Sequence, residues 1–107
     1  MIDIEKLTAL AIAYDAGDAK RIQHFIKVYA YSRLPGRREG LDEQKQNVLE
    51  AAAVLHDIGI HEAERKHGSS GGHWQEMEGP AVAAPMLQQC GADERESERV
   101  QWLIAHH

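Results

Sequence analysis

Apolar residues recur at three- and four-residue intervals along almost the whole chain, and no segment alternates as a strand would. That period confines the chain to helices. Ile4, Leu7, Leu10, Ala11 and Tyr14 make a first stripe, and Gly17 follows as a stop. Asp18 is placed to cap a second helix reaching about Ser32, with Ile22, Phe25, Ile26 and Tyr29 as its apolar face. Pro35-Gly36 then breaks the chain. Asp42 caps a third helix with Val48, Leu49, Ala52 and Leu55 in its stripe, and Gly59 ends it as a C-terminal glycine. The stretch from about Ile60 to Gln75 reads as loop around Gly68-Ser69-Ser70-Gly71-Gly72. Pro80 fits the first turn of a fourth helix that stops at Gly91, and Pro85 inside it implies a kink. Asp93 and Glu96 have the form of a capping box opening a fifth helix with Val100, Leu103 and Ile104. The fold class expected is all-α, a single compact bundle of about five helices, forming one domain over residues 1–107.

Composition narrows the function. No stretch is long and apolar enough to span a bilayer. The start, Met-Ile-Asp-Ile-Glu-Lys, lacks the basic residues and apolar run of a signal peptide. The chain therefore reads as cytoplasmic, with no membrane partner. Cys90 is the only cysteine, which fits a reducing compartment, and it reads as a small apolar residue. A net charge of −5 without a basic stripe argues against a nucleic-acid duplex as partner. Arg33, Arg37 and Arg38 cluster near Pro35-Gly36, either as a solvated loop or as a grip on an anionic substrate, since guanidinium matches phosphate geometry.

The chemistry concentrates in Ala-Val-Leu-His-Asp-Ile-Gly, where His56 and Asp57 are adjacent. His24 lies on the preceding helical pattern, and His106-His107 close the sequence. Imidazole and carboxylate together suit a borderline divalent metal such as zinc, iron, manganese or nickel. Such a metal lowers the pKa of bound water, which points to hydrolysis. Consecutive helical residues point about 100 degrees apart, so neighbours share one ion only where a helix ends. His56 and Asp57 occupy such a place. His24 can project from the edge of the second helix toward it, completing a His, His, Asp set with open positions. The residues alone leave an alternative: a satisfied, partly buried His24, and an Asp57 bonded to backbone.

His61, His67 and His73 fall in or near the expected loop and read as solvated, with substrate contact as the alternative. Glu62 and Glu64 are candidates to orient a ligating imidazole. Lys20, one turn before His24, can approach a phosphate or stand as an ordinary exposed lysine. The glycine-rich segment is no P-loop, because the Gly-Lys-Ser/Thr that should follow is missing.

Four blocks occur in order: Ala19-Lys20-Arg21-Ile22-Gln23-His24 with Val28-Tyr29; Ala51 through Gly59; Glu76-Met77-Glu78-Gly79-Pro80; and Val100 through His107. In these the chain resembles the HD-domain superfamily of metal-dependent phosphohydrolases, over most of its length from Ala19 onward. The resemblance implies an all-α HD-domain-like bundle and a divalent metal (Mn, Fe, Ni, Mg or Zn) bound by His, His, Asp and a final Asp. His24 matches the first ligand, and His56 and Asp57 match the central pair. The final Asp would lie beyond His107, and Asp93 precedes that block. Some binuclear members use histidines near the last block for a second metal, which makes His106 and His107 candidate ligands, with a solvent-facing end as the alternative. The activity implied is hydrolysis of a small phosphate ester or nucleotide, with Asp57 catalytic and Lys20, Arg37 and Arg38 holding the anion. A metal-binding or regulatory module without turnover is the alternative. The last helix is still in pattern at His107, which reads as a chain cut short or as a docked natural end. A cut edge would expose Trp102, Leu103 and Ile104 and favour a homodimer.

Overall fold

Aspartates start four of the helices. The side chain of Asp3 accepts a hydrogen bond from Lys6 N at 3.0 Å, Asp18 from Arg21 N at 3.2 Å, Asp42 from Lys45 N at 2.8 Å and Asp93 from Glu96 N at 2.8 Å. Each satisfies a backbone donor that a helix start leaves without a partner. At Asp93 the return bond from Asp93 N to Glu96 Oε1, 3.0 Å, completes the expected capping box.

The computed structural model describes residues 1–38, 42–69 and 71–106, and their side chains except those of Phe25 and residues 31–38. Among the described residues there are six helices and no strand: α1 (Ile4–Tyr14), α2 (Ala19–Arg38), α3 (Glu43–Leu55), α4 (Ile60–His67), α5 (Gly72–Gln89) and α6 (Glu94–Ala105). The all-α expectation holds, with one helix more than the periodicity suggested. Where a loop was expected after Ile60, the chain forms α4 and the first turns of α5. Both start at glycines, Gly59 and Gly71, that offer no side-chain cap. Only Ile60 and Ala63 of α4 are buried, too few to register as a period.

The prolines also act otherwise than expected. Pro80 sits in the middle of α5 rather than in its first turn, and α2 runs through Pro35-Gly36 to Arg38. A proline forfeits one intrahelical bond and bends the axis, but it does not forbid helix on either side. Part of its clash is with the preceding Cβ, and Gly79 before Pro80 has none.

The core sits around α3, which is buried along Gln46–Asn47–Val48 and from Glu50 to Leu55 and packs against α1, α2 and α6. Leu7, Leu55, Leu87, Val100 and Ile104 are fully buried in one cluster. Each such side chain is worth about 1.5–3 kcal/mol over leaving it in water. Ile22 and Tyr29 bring α2 onto this cluster, whereas Ile26 is 42% exposed and Tyr14 37% exposed, so the expected stripes of α1 and α2 are only partly buried. The expected apolar edge of α6 is likewise divided: Trp102 is half exposed, but Ile104 is buried. The N-terminal segment is tied down by Asn47, whose side chain accepts from Ile2 N at 2.8 Å and donates to Ile2 O at 2.9 Å. Among the described residues no helix is long and apolar enough to cross a membrane.

Candidate metal centre

The turn between α3 and α4 is pinned on both sides by apolar residues. Leu55 is fully buried, and Ile58 and Ile60 are each 3% exposed. His56 and Asp57 lie between these anchors and are half-buried, their side chains left on the side facing α2. Gly59 follows with φ −80° and ψ −5°, which any residue adopts, so it is not the left-handed helix stop expected from the sequence. Its glycine identity follows from a close approach: a Cβ there would stand 2.6 Å from Gly79 N and 2.7 Å from Gln75 O of α5. The turn is therefore seated directly on the backbone of α5.

α2 carries His24 to the open side of this turn. His24 Nε2 lies 3.1 Å from Asp57 Oδ2 and 3.3 Å from His56 Nε2, and His56 Nε2 lies 3.1 Å from Asp57 Oδ2. Three ligand atoms thus form a nearly equilateral triangle. Ligand pairs around one ion with bonds of about 2.1 Å stand about 3.0–3.4 Å apart at octahedral to tetrahedral angles, so the triangle fits a single divalent cation. Among the described residues this is the one set of three potential ligands so close together.

His56 is oriented for the task. Its Nδ1–H donates to Ala53 O at 2.9 Å, which leaves the Nε2 lone pair aimed at the triangle. Burial disfavours the charged imidazole of His56, but its hydrogen bonds to Asp57 and to Ala53 O outweigh burial and raise its pKa.

Arg21 was not singled out by its sequence context. Its Nη1 lies 3.9 Å from Asp57 Oδ2, placing a guanidinium beside the triangle. The signal was its position three residues before His24, on the same helix face. Lys20 is exposed one position away. The side chains of Arg33, Arg37 and Arg38, and all of His107, lie outside the described residues.

The histidines expected in or near a loop lie on helices, His61 and His67 on α4 and His73 on α5, where His73 is exposed as expected. His61 Nε2 lies 3.3 Å from Asp15 Oδ1 and 3.6 Å from Asp18 Oδ2, joining the start of α4 to the α1–α2 turn. Burial raises the Asp15 carboxyl above its ordinary range, while His61 and Arg21 work in the other direction. His67 Nε2 lies 3.0 Å from Glu78 Oε2, and its ring stacks on Trp74 with centroids 3.8 Å apart. Lys66 donates to Glu78 Oε1 at 2.9 Å, and these hydrogen bonds from His67 and Lys66 hold the Glu78 carboxyl below the ordinary range. His73 meets the same indole edge-on. Glu62 takes two hydrogen bonds from Arg65, at 3.0 and 2.8 Å, in place of a ligating imidazole, and Glu64 is exposed. His106 stacks on Trp102 with its Nδ1 2.8 Å from Trp102 O, and it is not part of the His24, His56, Asp57 set.

A family model, HD domain, matches residues 21–107, a span that contains all three residues of the triangle and Arg21. Comparison with curated proteins and with solved structures gives no match.

Proposed function

The chain belongs to the HD domain family, and from that premise we propose that it is a metal-dependent phosphohydrolase acting on a small phosphate ester or nucleotide. The observation that carries this reading is the triangle of His24 Nε2, His56 Nε2 and Asp57 Oδ2, with edges of 3.1, 3.1 and 3.3 Å. Two imidazoles and one carboxylate suit a borderline divalent ion. When bound there, such an ion would supply Lewis acidity to a water and to phosphoryl oxygens.

The protein's own groups do the rest. Ala53 O keeps the proton on His56 Nδ1, so Nε2 stays a ligand. Asp57 lies within reach of both imidazoles and accepts a hydrogen bond from the attacking water. Arg21 stands where it can neutralise and orient the anion under attack. The turn carrying His56 and Asp57 cannot drift, because Gly59 abuts α5.

Elemental analysis of tag-free protein after incubation with manganese, iron, nickel or zinc tests this reading. Near-stoichiometric metal is expected in the unaltered protein and its loss in His56→Ala and in Asp57→Ala, followed by turnover of phosphate esters by the loaded protein. Stoichiometric metal retained in both variants would falsify the site assignment.

A further inference from the structure

The end of α1 breaks two local rules at once. Asp15 is its C-cap and is 7% exposed. A helix C-terminus already carries partial negative charge, and burial disfavours a carboxylate that lacks a partner. Asp18 adds a second negative charge close by. Such violations of local preference concentrate at functional positions. The group that faces both acids is His61, whose Nε2 lies 3.3 Å from Asp15 Oδ1 and 3.6 Å from Asp18 Oδ2. Arg21 also acts on Asp15, and it reaches Asp57 at 3.9 Å.

These residues sit where they can control the triangle. Two elements build it: α2 supplies His24, and the turn before α4 supplies His56 and Asp57. The His24 side chain is half exposed, so burial does not fix it. Among the described residues, Ile22 is the one apolar side chain of α2 before His24 that packs on the core. Asp18 works in two directions: Oδ1 caps α2 through Arg21 N at 3.2 Å, and Oδ2 faces His61. His61 belongs to the first turn of α4, four residues after Asp57. From Asp18 to His24 is about 9 Å along the helix axis, so a tie at Asp18 acts close to the ligand.

From this arrangement we propose that His61 is a positioning residue of the metal centre: held by Asp15 and Asp18, it clamps the start of α2 to the start of α4 and so sets the distance from His24 to His56 and Asp57. The proposal rests on the function proposed above and deepens it, adding a residue that acts on the centre without touching the ion. A half-exposed ion pair contributes little to stability. Its effect here is on geometry. With the clamp cut, α2 still packs on α3 and the fold persists, but His24 is no longer held opposite the turn.

The clamp is tested first without metal, by the nuclear Overhauser contact between the His24 and His56 rings, whose centroids lie 5.2 Å apart. The chelated, unaltered protein should show this contact. His61→Ala and Asp15→Ala should lose it while keeping their helical circular dichroism. Manganese titrations well below each melting temperature should then show at least about tenfold weaker binding in both variants. The double variant H61A/D15A should bind no more weakly than either single one, because the two residues act as a pair. Asp93→Ala, which weakens the cap of α6, should keep both the ring contact and the affinity. Ring contact and affinity unchanged in His61→Ala overturn the proposal. So does an equal loss in Asp93→Ala, which would make the centre sensitive to any loss of stability. The two readings fail separately. A protein whose ring contact depends on His61 but which takes up no manganese retains the clamp and loses the metal reading. One whose manganese uptake is lost in His56→Ala but unchanged in His61→Ala retains the centre and loses the clamp.

Discussion

A Cβ at position 59 would stand 2.6 Å from Gly79 N and 2.7 Å from Gln75 O, nearer than real Cβ atoms approach. Both obstacles are backbone, so the helix or the turn must move to admit a methyl group. Gly59→Ala is therefore expected to cost about 1–3 kcal/mol as an overpacked contact and to weaken metal uptake, because His56 and Asp57 ride on the displaced turn. At position 79 the near atom is Ile104 Cγ2, at 2.8 Å, a side-chain atom of α6 rather than backbone of the turn that carries His56 and Asp57. Gly79→Ala should thus be the milder change for the metal centre. Urea midpoints and manganese titrations of the two variants test this; equal losses of manganese affinity would show that the turn does not transmit the strain. The sequence made this glycine conspicuous within His-Asp-Ile-Gly but suggested the wrong reason. A C-terminal glycine stop is a local device, whereas an approach to α5 depends on residues distant along the chain.

Helix starts were legible wherever a side chain marked them. Asp3, Asp18, Asp42 and Asp93 each accept the hydrogen bond expected of a cap. α4 and α5 begin at Gly59 and Gly71 without such a bond, and these are the starts the sequence concealed. Asp93→Ala removes one half of the capping box on α6 and should cost about 1 kcal/mol, read as a lower melting temperature. The clasp between α4 and α5 gives a pH signature. Lys66 and His67 hold the Glu78 carboxyl below its ordinary range. A depressed folded-state pKa means that its contribution is fully present above the unfolded value, about 4.3, and is lost as pH falls through the lower folded value. The melting-temperature gap between the unaltered protein and Glu78→Gln should therefore persist at neutral pH and close as the pH falls below about 4. A gap that stays constant down to that range would show that the clasp is not ionic.

In the whole molecule, core and centre meet at Leu55, which is fully buried beside His56. Leu55→Ala is expected to cost about 2–5 kcal/mol through the cavity it leaves. A bound ion opposes unfolding in turn: manganese at a hundred times its dissociation constant should stabilise the fold by about 2.7 kcal/mol. Thermal melts should show this rise in the unaltered protein and lose it in His56→Ala; the same rise in both would place the ion elsewhere. The sequence by itself determined the helical class, the capped starts and the adjacency of His56 and Asp57, because period, capping and neighbourhood all act within a few residues. Only the tertiary structure decided that His24 closes the triangle, that Arg21 flanks it, that His61 turns to Asp15 and Asp18, and that Gly59 rests on α5. Each of these joins residues on different elements, and their meeting is set by how α1, α2 and α6 pack on α3 and how α5 packs on α4 and α6, which no local pattern encodes.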